Sequence, residues 1–445
     1  MSRALLTAPR RLILRSGGWL IAKQIASLAN GLLIAVFVAR HLGPEGYGVL
    51  SYALSLVAVV APLTTLGMRN LSLREYKMHP DEAHTILGTV TAIRFAGAAV
   101  TVLIVYAVAR AYPIPHENIA ILCAILAGAA LVKSIDTIQE YFIAQQDPKP
   151  FVVFSVAVMS VFACVKIGLI LMGSGVDAFI LAQAAQGAVS GLGALMAYRR
   201  RTRGLPGPRI ETARAWRYLR QGFPLMLGAL SAVIYLKSDI LMLSYMAGQE
   251  TTGIYAVAAR LAEAWYVLPT AMATALFPRM VDLRDSAPER YALRVQDALD
   301  SFAAFGTLIA ASSLFWAGPA VAFLFGADYA ASTTVLQIYA WVGIVFATRA
   351  LIHRWLLVEG IFWASAMIHA TGAVANVALN LVLIPRFGAE GAAVATVISY
   401  TLAPILLAPV VPALREPARM QLKAIAWPRR IADLRPRGRP AAPGE

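Results

Sequence analysis

Arg199-Arg200-Arg201-Thr202-Arg203-Gly204-Leu205-Pro206-Gly207-Pro208-Arg209 divides the chain into two long, almost wholly apolar regions. A segment this rich in arginine cannot sit in hydrocarbon, and the positive-inside rule assigns it to the cytoplasmic face. Each flanking region divides into six hydrophobic segments. Both halves must then begin and end on the same side. An even number of crossings gives them the same orientation, so any repeat between them is parallel, about an axis along the membrane normal.

Composition agrees with a polytopic membrane protein. The 445 residues are 59% hydrophobic and 14% charged, with a mean hydropathy of +0.66, whereas soluble domains carry about 25% charged residues. The formal charge of +15 does not point to nucleic acid, because the basic residues lie in loops and not on an aromatic-basic surface that could stack bases. Cys123 and Cys164 fall within apolar segments without ligand-spaced neighbours, so they read as small buried hydrophobes, with no metal site. Arg3, Arg10, Arg11 and Arg15 precede the first apolar run. Lys23 interrupts that run and no small-residue cleavage site closes it, so it reads as a retained first membrane helix.

Segments of about 20 residues, enough to cross about 30 Å of hydrocarbon, fall at 16–39, 46–68, 86–109, 118–143, 151–172 and 177–198. The second half supplies 218–246, 252–277, 295–316, 332–356, 361–384 and 390–411. The expected fold is therefore all-α, with twelve transmembrane helices in two six-helix lobes. The lobes span 1–198 and 214–411, a basic cytoplasmic linker spans 199–213, and a basic cytoplasmic tail spans 412–445. On this topology 29 lysines and arginines fall in inner segments and three, Arg40, Arg110 and Arg386, in outer ones. That imbalance assigns both termini to the cytoplasm. Outer turns such as Gly173–Val176 and Ala247–Glu250 are too short for a soluble catalytic domain. The tail from Ala413 reads as a partly disordered segment resting on anionic headgroups.

With Asp177, Arg220, Asp297, Asp300, Arg354 and Glu390 counted with the ends of their spans, seven basic residues lie within the spans: Lys23, Arg94, Lys133, Lys166, Lys237, Arg260 and Arg349. Four acids accompany them: Asp136, Glu140, Asp239 and Glu263. A charge facing mid-bilayer lipid costs about 2.5–3.5 kcal/mol, so eleven would cost on the order of 30 kcal/mol. Most must therefore line a wet interior or pair with one another. Lys133, Asp136 and Glu140 share a helical face, as do Arg260 and Glu263, while Lys237 and Asp239 point apart. The excess of cations suits an anionic cargo such as a diphosphate. The basic residues are accordingly the expected substrate-binding set and the acids the expected coupling or counter-ion groups. Pro62, Pro224, Pro269 and Pro404 interrupt spans as possible bends, and Gly187–Gly191 suits close helix packing. No phosphate-binding GxxxxGK[ST] loop, nucleophile elbow or zinc-ligand pattern is present.

The turn Leu42-Gly43-Pro44-Glu45-Gly46-Tyr47-Gly48 is echoed by Gly248-Gln249-Glu250-Thr251-Thr252-Gly253-Ile254-Tyr255 at the start of the second span of the other half. The first turn resembles the first outer loop of bacterial polysaccharide flippases of the multidrug/oligosaccharidyl-lipid/polysaccharide exporter superfamily. Asp239–Leu243, Gly253–Leu261 and Asn380–Ala393 resemble later stretches of the same family, and the likeness covers nearly the whole chain. It implies a non-enzymatic inner-membrane transporter without a cofactor. Such a protein would move polyprenyl-diphosphate-linked oligosaccharide for O-antigen, capsule or exopolysaccharide synthesis, among membrane lipids and alongside a polysaccharide polymerase and other assembly proteins. Two rivals remain at this point. A cation-coupled multidrug exporter is disfavoured by the cationic interior, and a membrane-embedded glycan polymerase or ligase by the short outer loops.

Overall fold

A computed structural model describes residues 10–202 and 209–427, and every described element is helical. The centre of the basic linker, 203–208, and the tail from 428 lie outside the described residues. The first half contains α1 (Arg10–Val60), α2 (Pro62–Thr65), α3 (Met68–Met78), α4 (Ala83–Ala111), α5 (Ile119–Lys133), α6 (Thr137–Ala144), α7 (Lys149–Leu171) and α8 (Val176–Thr202). The second contains α9 (Thr212–Met246), α10 (Gly248–Glu263), α11 (Val267–Ser286), α12 (Pro288–Phe325), α13 (Ser332–Tyr339), α14 (Val342–Val358), α15 (Phe362–Leu407) and α16 (Arg415–Ile425).

Nine helical stretches among the described residues are long and apolar enough to cross a membrane, which makes this a multi-pass membrane protein. Two are too long for one crossing: at about 1.5 Å per residue, α1 and α15 would each run well beyond a hydrocarbon core of about 30 Å. Each is divided at a glycine. Gly43 takes φ 67° and ψ 177°, and Gly388 takes φ 54° and ψ −128°. Side-chain-bearing residues rarely occupy that region. Pro44 follows Gly43 and has no N–H to continue the hydrogen-bond ladder. The expected spans thus correspond to helical stretches, several of them broken. The segment expected at 46–68 is interrupted around Ala61–Gly67, with Pro62 opening α2, and its helix continues to Met78. The 118–143 segment contains a 3-10 turn at Ser134–Asp136, and the one starting at 252 has another at Ala264–Tyr266.

The halves meet most closely where their second helices cross. A Cβ on Gly48 would collide with the Gln249 carbonyl, and one on Gly253 would collide with the Pro44 carbonyl. Both correspondences carry the same offset of 205 residues, as a two-fold axis through the crossing requires. Further ties on this side are Tyr52 with Tyr245 across the halves, and the Tyr329 hydroxyl donating to the Ala39 carbonyl at 2.9 Å. Within the first half, a Cβ on Gly191 would come within 2.5 Å of the Val132 carbonyl, so this glycine lets α8 lie against α5.

Three regions differ from expectation. Cys123 is buried, but Cys164 is exposed on α7, a helix that buries few of its residues. Residues 415–425 of the tail form a helix, α16, that buries Ala418, Met420, Gln421 and Ala424. Apolar residues recurring three or four apart give it a face to bury. Finally, the start of α9 packs on the first half: Gly222 lies against the Leu66 backbone, and Tyr218 donates to Glu75 at 2.8 Å.

Candidate functional site: a charged cleft between the halves

A cavity of about 680 Å³ lies between α1 on one side and α9 and α10 on the other. Ser27, Gly31 and Ser51 contribute from α1, and Lys237, Arg260 and Glu263 from the second half. A neighbouring pocket of about 230 Å³ shares Ser27, Gly31, Tyr47, Leu54 and Arg260 with it, and adds Lys166, Gln183 and Gln186 from α7 and α8. The two form one cleft with a polar wall from each half.

Local geometry holds these side chains in place. Lys166 Nζ donates to Gln183 Oε1 at 2.7 Å and to Gln186 Oε1 at 3.1 Å. The two glutamines are three apart on α8 and so share a face. Arg260 crosses the gap, donating from Nη2 to the Gly31 carbonyl at 2.7 Å. Glu263 accepts from the Tyr339 hydroxyl at 3.1 Å. None of the residues lining the Lys166 pocket is a carboxylate.

The remaining intramembrane charges do not join this cleft. Arg94 and Glu140, both buried, pair at 3.1 Å between α4 and α6. Glu140 was expected to face Lys133. A 3-10 turn at Ser134–Asp136 separates α6 from α5, and Glu140 takes its partner from α4. Lys133 is exposed, and Asp136 is buried with Lys133, Arg94 and Lys23 as its charged neighbours. Lys23 Nζ lies 4.0 Å from the centre of the Phe151 ring, a cation–π contact. Arg349 faces a separate cavity of about 260 Å³ within the second half, stacked over Tyr235 and Tyr400 at 5.6 and 5.2 Å. A single cavity holding all seven basic residues is therefore not formed. Helical spacing shows which residues share a face of one helix, but not which neighbouring helix that face meets.

Asp239 lies at the centre of a buried polar cluster. Its Oδ1 accepts from Asn380 Nδ2 at 2.5 Å, and its Oδ2 accepts from the Tyr255 and Thr396 hydroxyls at 2.6 and 2.7 Å. Asn376 Oδ1 accepts from Ser238 and Asn380 at 2.9 and 3.1 Å. Asn380 Oδ1 is buried without a partner, and no described ion pair reaches Asp239. These neutral donors solvate the carboxylate without neutralising it, so a proton or a monovalent cation at Asp239 would supply the missing positive charge. Sequence reasoning missed Asn376, Asn380, Tyr255 and Thr396 because it weighed formal charge alone. The signal available was an Asn pair four apart in an otherwise apolar span.

Helical halves enclosing a charged cleft define a polytopic membrane protein with a two-lobe fold. Residues 13–284 match the polysaccharide biosynthesis protein family, and the chain belongs to that family, as the Leu42–Gly48 turn implied. The probable flippase AglR of Haloferax volcanii is 27% identical over 256 residues, 56% of this chain and 52% of that protein, so the match spans about half the relative's length. Among solved structures, the lipid II flippase MurJ in an inward closed conformation superposes with a TM-score of 0.68 at 14% identity over 93% of both chains. An inward-facing multidrug resistance MATE family transporter of the MOP superfamily gives 0.62 at 15% identity over 88% of this chain and 96% of that one. The fold is shared with both.

Proposed function

We propose that the protein is a flippase carrying polyprenyl-diphosphate-linked oligosaccharide across the bacterial inner membrane for cell-surface polysaccharide synthesis. The observation that carries this reading is the meeting of Lys166 and Arg260, one from each half, in a cleft whose Lys166 side holds no carboxylate. Two like charges facing one low-dielectric cleft repel unless an anion comes between them. A diphosphate supplies that anion, and Arg binds its oxygens in a forked geometry. The family and the flippase relative support the same substrate class.

Twelve crossings in two lobes, with linker and termini in the cytoplasm, complete the scheme, and the inner-loop excess of basic residues supports it. The Gly48–Gly253 crossing closes the outer end while the cleft admits the headgroup from within. The lobes then rock to reverse access while the polyprenyl tail stays in lipid. No catalytic residue is required. Asp239 is the coupling group in this scheme, taking up a proton or monovalent cation as the second lobe moves.

The test is glycan export at matched membrane abundance. Arg260→Glu should abolish export in correctly inserted protein, and Arg260→Lys should retain part of it. Undiminished export by the Glu variant would overturn the cationic-cleft mechanism, and loss of drug efflux with normal glycan would favour a multidrug exporter. Reporters fused after Gly207 and after Arg430 should both read cytoplasmic.

A further inference from the structure

The cavity around Arg349 shares no lining residue with the cleft between the halves, and its chemistry is different. Arg349, His353 and Arg354 of α14 line it together with His369 of α15 and Gln421 of α16, and no carboxylate is among its lining residues. Arg354 donates to Thr274 at 3.0 Å. His353 Nδ1 contacts the Ser365 hydroxyl at 3.0 Å, and His369 donates from Nδ1 to the Ser365 carbonyl at 2.6 Å.

Two groups are left over. Arg349 Nη1 is buried without an acceptor. Gln421 is 2% exposed, and neither its amide nitrogen nor its oxygen has a hydrogen-bond partner. Buried polar groups in native proteins are satisfied, and leaving one unpaired costs about 1–3 kcal/mol. Water could satisfy the amide but would bring no charge to two guanidinium groups held within five residues of one helix. An anion with several acceptor oxygens in this cavity supplies both the charge and the acceptors that these groups lack.

The surroundings identify the source of that anion. Leu236 and His353, both exposed, stand at the cavity's edge, and Phe362 and Trp363 at the start of α15 are exposed nearby in sequence to Ser365. Helix α16, which supplies Gln421, buries one face and exposes Arg415, Arg419 and Lys423 at four-residue spacing on the other. A row of three exposed cations attracts anionic headgroups. We propose that the cavity between α14, α15 and α16 binds the phosphate of an anionic phospholipid, with Arg349 and Arg354 as its ligands and Gln421 as a third donor. The site lies apart from the cleft and does not depend on what the cleft carries.

The experiment uses the purified full chain in phosphatidylcholine nanodiscs with and without phosphatidylglycerol, read by thermal melting and by lipid retained through detergent exchange. Phosphatidylglycerol should raise the melting temperature of the unaltered protein and of Arg260→Gln, which touches only the cleft. Arg349→Gln with Arg354→Gln should lose that shift and bind the lipid at least about tenfold more weakly, and Gln421→Leu should weaken it less. Should the double variant fail to fold, competition on Arg260→Gln decides: inorganic pyrophosphate should displace retained phosphatidylglycerol. Equal stabilisation by both lipids, or retention unchanged in the double variant, would overturn the proposal. Pyrophosphate binding without any preference for phosphatidylglycerol would overturn the lipid as the source.

Discussion

Glu140 in the first half and Asp239 in the second are both buried carboxylates, and they are compensated in opposite ways. In the first half Glu140 meets the Arg94 guanidinium at 3.1 Å, and both side chains are less than a tenth exposed. In the second, Asp239 is surrounded by hydroxyls and amides alone. A charge partnered by a fixed opposite charge has a constant ligand and a constant geometry. One partnered only by neutral dipoles can gain and lose a mobile cation, which is what the coupling role proposed for Asp239 requires.

The largest test of this contrast is to break the fixed pair. Arg94→Ala leaves Glu140 buried and uncompensated, and such losses cost about 3–5 kcal/mol. The melting temperature of the purified protein should fall steeply, and membrane abundance with it. Arg94→Met combined with Glu140→Leu removes both charges and fills their space, and should recover most of the loss. If the single variant melted like the unaltered protein, the pair would be no anchor and the contrast between the halves would collapse.

A smaller effect probes where the halves are alike. Gly48 and Gly253 occupy equivalent places in the crossing, each against a backbone carbonyl of the other half. Alanine at either position overpacks a backbone contact, which costs about 1–3 kcal/mol. The two variants should lower the melting temperature by similar amounts, because the axis makes their surroundings the same. A large inequality would show that the second helices are not related by the two-fold.

How far this was legible depended on the kind of residue. The helical membrane class, the short turns between spans and the need to partner Arg94 and Glu140 all follow from hydropathy and from the cost of buried charge, which are local properties. The identity of each partner is not local. Glu140 and Arg94 are 46 residues apart, and the acid pairs across helices instead of with the neighbour that helical spacing assigns. Lys166 and Arg260 are two of the seven basic residues within the spans, yet their convergence on one cleft depends on how α7, α8 and α10 surround α1. Helix α16 escaped notice because its apolar face is only a few residues wide.

The smallest expected change in stability tests the mobile side of the comparison. Asp239→Asn keeps the shape of the side chain and one carbonyl oxygen, which can still accept from Tyr255 and Thr396. The new amide would face Asn380 Nδ2, but Asn380 Oδ1 has no partner, so turning that amide over supplies an acceptor. The exchange gives up the Asn380–Asn376 hydrogen bond at 3.1 Å, worth about 1 kcal/mol. Melting should therefore shift little. Transport should change far more, because an amide neither takes a proton at ordinary pH nor compensates a cation. Glycan export should fall by about tenfold, the scale of a coupling energy of 1–3 kcal/mol, and what remains should no longer respond to an imposed proton or sodium gradient. Asp239→Leu separates the two roles, since it strands the Tyr255 and Thr396 hydroxyls and should destabilise the protein as well. Full gradient-dependent export by the Asn variant would leave Asp239 as a structural acid, and the two halves would then differ only in how they hold themselves together.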